Sequence, residues 1–175
     1  MSPPEFSRTV RVDTLGQAPR TIAIEADEAE REGLARRFGF VAIDRLAAEV
    51  ALARLGEAVT ARGILSAEVA QSCVASGEPV AETVEEDFAV EFRPHPPFDA
   101  PDEEIELGEG ELDVIFYDGA MIDLGEAVAE TLSLSVEPYP RAAGAEEALK
   151  EASVRSEAEA GPFGDLAGLR DKLGQ

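Results

Sequence analysis

The chain has 175 residues, 45% of them hydrophobic, with a mean hydropathy of −0.11, which is enough for one domain with a buried core. Its apolar runs are far too short to cross a bilayer. Met1-Ser2-Pro3-Pro4-Glu5-Phe6 has neither the basic n-region nor the apolar h-region of a secretory signal. A single Cys and a single His exclude an internal disulfide and a Cys/His zinc site, and a cytoplasmic location is expected.

The charge of −22 is unevenly placed. Residues 1–77 and 141–175 are nearly balanced, whereas residues 78–140 hold nineteen acids against one base, Arg93. Asp102, Glu103, Glu104, Glu106, Glu109, Glu111 and Asp113 are the densest part. Such a field repels phosphate backbones and attracts basic protein surfaces. Solubility alone also accounts for an acidic face. The arginines between Arg8 and Arg45 are too interleaved with acids to form a nucleic-acid patch.

In chain order, Phe6–Val12 alternates as a first strand and Arg20–Ile24 as a second. Asp27 with Glu30 three residues on predicts a capping box, and the helix it opens should stop at Gly39. Leu34 and Phe38 mark its buried stripe. From Ile43 the period is two, with Leu46, Ala48, Val50 and Leu52 inward. Gly56-Glu57 then turns the chain into a long antiparallel hairpin over Val59–Phe92, bent around Ser76-Gly77-Glu78-Pro79. Its inner line is Val59, Ala61, Leu65, Ala67, Val69 and Cys73, then Val80, Val84, Phe88, Val90 and Phe92. Gly63, Gln71, Glu82 and Glu86 interrupt that line, which predicts bends or a second covered face.

The four prolines between Arg93 and Pro101 rule out a ladder there. His95 lies in this stretch with no companion nucleophile, so it reads as a loop histidine. Glu111–Tyr117 predicts another strand. Asp123 with Glu126 repeats the capping-box spacing, for a helix burying Leu124, Val128, Thr131 and Leu132 and ended by Pro138. The Ala/Glu-rich stretch 142–160 reads as frayed helix or linker. Phe163, Leu166 and Leu169 then mark a short amphipathic helix, to dock on its own domain or in a partner's groove. Residues 1–141 thus form one α+β domain, and 142–175 a partly flexible linker and helix. The sheet is expected to be antiparallel and strongly twisted or partly closed, with two main helices.

No phosphate-binding loop, dinucleotide fingerprint or nucleophile elbow is present. Cys73 reads as a small buried hydrophobe. The acidic run at 102–106 lacks the spacing of a calcium loop. No catalytic residue, metal or cofactor is expected.

Leu65–Val74 with Glu78-Pro79-Val80 resembles the central hairpin of the YceD family, the large ribosomal RNA subunit accumulation proteins. Phe88–Phe92 and the acidic run follow in the family's order. Ile122-Asp123-Leu124-Gly125-Glu126-Ala127-Val128-Ala129-Glu130 resembles its most distinctive block, and Gly161–Leu169 its C-terminal element. The resemblance implies a cytoplasmic, non-enzymatic factor in large-subunit RNA accumulation, processing or assembly. Many relatives carry cysteine pairs after the Asp-Leu-Gly-Glu helix that look like metal ligands. Glu137–Ala142 has none here, so no metal role carries over.

Three readings follow. The acids at 102–113 steer a basic partner, a ribosomal protein or RNA-modifying factor, so that rRNA is contacted indirectly and DNA and membranes not at all. Alternatively, Arg8, Arg11 and Arg20 bind rRNA precursors directly, or a curved sheet encloses a small ligand in an apolar pocket.

Overall fold

A computed structural model describes residues 4–95 and 112–152. Three long strands organise it: β3 (Ala42–Leu55), β4 (Ala58–Ser72) and β5 (Pro79–Pro94). Earlier in the chain are β1 (Thr9–Arg11), β2 (Arg20–Glu25) and α1 (Glu28–Phe38). β6 (Asp113–Tyr117), β7 (Met121–Asp123), α2 (Leu124–Ser135) and α3 (Ala145–Glu151) follow. The strands make a five-stranded sheet in the order β2-β3-β4-β5-β6 and a two-stranded one, β1-β7.

The period-two reading holds along the hairpin. Val59, Ala61, Leu65, Ala67, Val69, Val84, Phe88, Val90 and Phe92 are buried. On β3, Ile43 is buried together with Leu46, Ala48, Val50 and Leu52, although one number is odd and the others even. A register shift between Ile43 and Arg45 explains this, because the extra residue Asp44 swaps the two faces. Burying each of the larger side chains contributes about 1.5–3 kcal/mol.

The interruptions have separate causes. Gly63 faces Val50 so closely that a Cβ there would lie 1.9 Å from the Glu49 carbonyl oxygen. Gln71 donates to Glu82 and to the Glu137 carbonyl, and Glu82 accepts from the Glu137 N–H, so these polar groups satisfy one another. Glu86 is exposed.

α1 begins and ends as its residues dictate. Asp27 and Glu30 form both halves of the capping box, and Gly39 closes the helix in the left-handed region at φ 73°. Leu34 is fully buried and Phe38 partly so. Leu34, Ala35, Leu124, Ala127, Val128 and Leu132 bring both main helices into one apolar cluster with the sheet.

Four expectations need correction. The sheet is mixed, because β6 runs parallel to β5, with Val90 facing Asp113 and Pro94 facing Tyr117. The eighteen residues between these strands are a connection long enough for a crossover, which a tight turn could never provide. The sheet is also open, since β2 and β6 are its edges and do not pair. The first strand is only Thr9–Arg11, because Val12–Thr14 winds into a 3-10 turn, and it pairs with β7, a strand the sequence did not suggest. The strand after the acidic run starts at Asp113, with Leu112 outside it, and Glu111 lies outside the described residues. The helix expected at Phe163, Leu166 and Leu169 lies outside the described residues.

Contacts divide the chain into two compact units, residues 1–71 with 81–137 and residues 72–80 with 138–175. The first holds the main core. In the second, the turn after Ser72 closes by Cys73 N–H donating to the Glu78 carbonyl and Gly77 N–H to that of Cys73. Val74 N–H donates to the Pro140 carbonyl, and Ala145 at the start of α3 is 2% exposed.

Candidate functional site

The block Asp123-Leu124-Gly125-Glu126 is where the most polar bonds converge, and each residue has a separate task. Asp123 caps α2, its Oδ1 accepting from the N–H groups of Gly125 (3.1 Å) and Glu126 (3.2 Å). The same carboxylate accepts from the Arg8 N–H at 2.8 Å and from Ser7 Oγ at 2.5 Å. Leu124 is fully buried, and its N–H donates to the Arg8 carbonyl. At Gly125 the segment Phe6–Arg8 crosses the first turn of the helix. A Cβ there would lie 2.5 Å from the Phe6 carbonyl oxygen, so only glycine fits. Glu126 does not complete the capping box its spacing suggested. Its two oxygens instead take a bidentate pair from Arg37, at 2.7 and 3.0 Å.

Around this block, Arg8 grips Glu30 bidentately, at 2.6 and 2.8 Å, and donates to the Glu25 carbonyl. Arg37 also reaches Glu5 at 3.3 Å. The Arg8 guanidinium, against the penalty of burial, holds the Glu30 carboxyl below its ordinary range. Glu126, and Glu5 after it, raise the Arg37 guanidinium above its own. The assembly is a clasp that pins the N-terminal segment onto α1 and α2.

The arginines proposed for RNA are mostly engaged. Arg8 is in the clasp and Arg11 pairs with Asp13 at 2.6 Å. Of that set only Arg20 lacks an ion pair among the described residues, as do Arg45 and Arg62. Arg45 and Arg62 flank an open trough of about 730 Å³ on the outer face of β2, β3 and β4. Glu25 and Glu49 line it between alanines, so it is an open trough of mixed character and does not enclose a small ligand.

Of the seven acids singled out at 102–113, only Asp113 lies among the described residues, where it is exposed. Three further acids, Glu85, Glu86 and Asp87, stand exposed in a row on β5, and Asp118 is exposed after β6. Strand alternation had put Glu86 inside, so this row was hidden by the pattern. His95 stacks on Phe116 at 5.2 Å between ring centres and lies 3.9 Å from Asp118. Cys73 is 3% exposed, as its place on the strand suggested. Its Sγ also accepts from the N–H groups of Ala142 (3.3 Å) and Ser76 (3.4 Å), which lower its thiol pKa to about 6, the Ala142 bond most. Among the described residues, no three His, Cys, Asp or Glu side chains are grouped to hold a metal ion, and no helix is long and apolar enough to cross a membrane.

The site is therefore a polar clasp inside an α+β domain, with a separate strand carrying exposed acids that form no ion pair among the described residues. Residues 61–170, well over half of the chain, match the family model described as large ribosomal RNA subunit accumulation protein YceD. The chain belongs to the YceD family, whose name points to a role in accumulation of large-subunit ribosomal RNA. No curated protein and no solved structure gives a match. The matched region holds the Asp123–Glu126 block but not Phe6, Arg8, Glu30 and Arg37, which complete the clasp.

Proposed function

We propose that this chain serves large-subunit rRNA accumulation as a non-enzymatic factor in the cytoplasm. On this reading it holds a basic protein, a ribosomal protein or an RNA-modifying factor, on its acidic surface. The observation that carries the reading is the contrast between nineteen acids and a single base over residues 78–140. Glu85, Glu86, Asp87, Asp113 and Asp118 are among the exposed acids of that region on and beside β5 and β6. The run Asp102–Glu111 adds charge of the same sign in the adjoining sequence. Acids left without bases attract a cationic surface over several ångströms and speed its encounter. Direct contact between these acids and RNA would oppose like charges.

The test is a pull-down from native lysate, divided into RNase-treated and untreated halves and eluted with rising salt. A basic protein that survives RNase and leaves with salt is the expected result. Loss of everything bound on RNase treatment overturns it in favour of RNA contact, for which Arg20, Arg45 and Arg62 are the unengaged cations of the sequence up to β4.

A further inference from the structure

β1 and β2 border one cleft of about 650 Å³, lined by Thr9, Val10, Arg11, Ile22, Ala23 and Leu124 among others. β1 pairs only with β7, and β2 only with β3, so each strand has one unpaired edge among the described residues.

The ladders show which groups point to those edges. Leu124 N–H donates to the Arg8 carbonyl and Val12 N–H to that of Ala120, so the even residues of β1 bond towards β7. Antiparallel alternation then turns the N–H and C=O of Thr9 and Arg11 away from β7. On β2, Ala26 N–H donates to the Leu46 carbonyl, so even residues face β3 and Thr21, Ala23 and Glu25 face away. Two of these edge groups are already satisfied from the side. The Glu25 carbonyl accepts from Arg8 Nη2 at 2.9 Å, and the Arg11 carbonyl from Thr14 Oγ1 at 2.7 Å. The main-chain groups of Thr9, Thr21 and Ala23 bond to no described residue.

We infer that this cleft takes an extended segment of a partner protein as an additional strand against the free edge of β2. An edge that offers N–H and C=O in alternation is matched by another polypeptide backbone. A phosphate backbone offers acceptors without the alternating donors. Val10 and Ile22, partly buried against the core, give alternate side chains of the guest an apolar floor. Arg20 lines the cleft and has no ion pair among the described residues, so it selects a guest with a carboxylate beside it. The net charge of −22 disfavours a second copy of this chain as the guest.

The test uses the full-length ¹⁵N-labelled chain and a capped heptapeptide alternating threonine and valine, with glutamate at one end or the other. A peptide N-methylated at alternate positions serves as control. One glutamate peptide should slow exchange of the Thr21 and Ala23 amides by about tenfold or more, leaving Ile22 and Ile24 unchanged. The N-methylated control should have no effect. Ala23→Pro, which removes an edge N–H where proline is tolerated, should abolish the effect. Arg20→Glu should transfer the preference to a peptide ending in lysine, a reading that stands even if the proline variant fails to fold. Absence of selective slowing at millimolar peptide overturns the inference. Slowing driven by protein concentration alone would name a second copy instead, and slowing by a uridine oligonucleotide would name RNA.

Discussion

The arginines of the first forty residues and the acids of β5 are opposite uses of charge. Arg8 and Arg37 each hold a carboxylate in a bidentate pair, with side chains about one-third exposed. They tie elements that are distant in sequence. Glu85, Glu86 and Asp87 stand exposed in sequence and form no ion pair among the described residues. Charge that closes on itself builds a fold, while charge left open is available to something else. Substitutions in the two places should therefore separate stability from binding.

The largest effect belongs at Gly125. Any Cβ there meets the backbone of the crossing segment, the Phe6 carbonyl at 2.5 Å and the Arg8 nitrogen at 2.9 Å, and backbone cannot step aside as a side chain can. Gly125→Val should cost more than about 3 kcal/mol in urea unfolding and release the N-terminal segment to proteolysis. An ordinary helix-surface cost of under about 1 kcal/mol would refute the crossing. Asp123→Ala comes next, at about 2–3 kcal/mol, because it removes the cap and leaves Arg8 N–H and Ser7 without their acceptor. Asp123→Asn keeps an acceptor and should recover part of the loss.

Arg37→Gln breaks the pair with Glu126 and should cost about 1 kcal/mol, a value for a partly exposed bidentate pair. Glu30→Gln should cost a similar amount at neutral pH, again about 1 kcal/mol, and it carries a pH signature. The folded-state pKa of Glu30 is depressed, so its stabilisation is fully present above the ordinary value of 4.5 and is lost as pH falls through the lower folded value. The gap between wild type and Glu30→Gln in urea midpoint should be constant from pH 7 to about 5 and shrink towards pH 3. A gap that widens on acidification would mean that Arg8 does not hold Glu30 ionised.

Much of this was legible in the residues, for reasons that differ by element. The capping box at Asp27 and the stop at Gly39 are local chemistry, complete within a few residues. The hairpin was legible because its inner positions alternate and its turn is rich in Gly and Pro. Parity failed where one extra residue changed it, at Asp44 in β3. The parallel pairing of β5 with β6 and the β1–β7 pair are contacts between distant segments, which no window of sequence contains. The Asp-Leu-Gly-Glu block stood out as a motif, and Asp123 does cap its helix. Its link to Arg8, Ser7 and Arg37 crosses about ninety residues or more, so the reason for the glycine and the glutamate appears only when the chain is folded.

The smallest effect on stability should come from the residues with the largest expected effect on binding. Glu85→Gln, Glu86→Gln and Asp87→Asn together remove three exposed negative charges that form no ion pair among the described residues. The fold should change by less than about 0.5 kcal/mol, and relief of repulsion in a chain of −22 favours a slight gain. The same triple variant should elute a basic partner at lower salt and slow its association, since exposed charges act chiefly on encounter. Extending the exchange to Asp102, Glu103, Glu104, Glu106, Glu109, Glu111 and Asp113 should deepen the loss again without lowering the thermal midpoint. If the triple variant binds as the wild type does while the larger set does not, the partner's contact lies along 102–113. If neither set alters salt-dependent binding, the acids serve solubility, and the recognition surface must be sought on the arginine-bearing face of β2, β3 and β4.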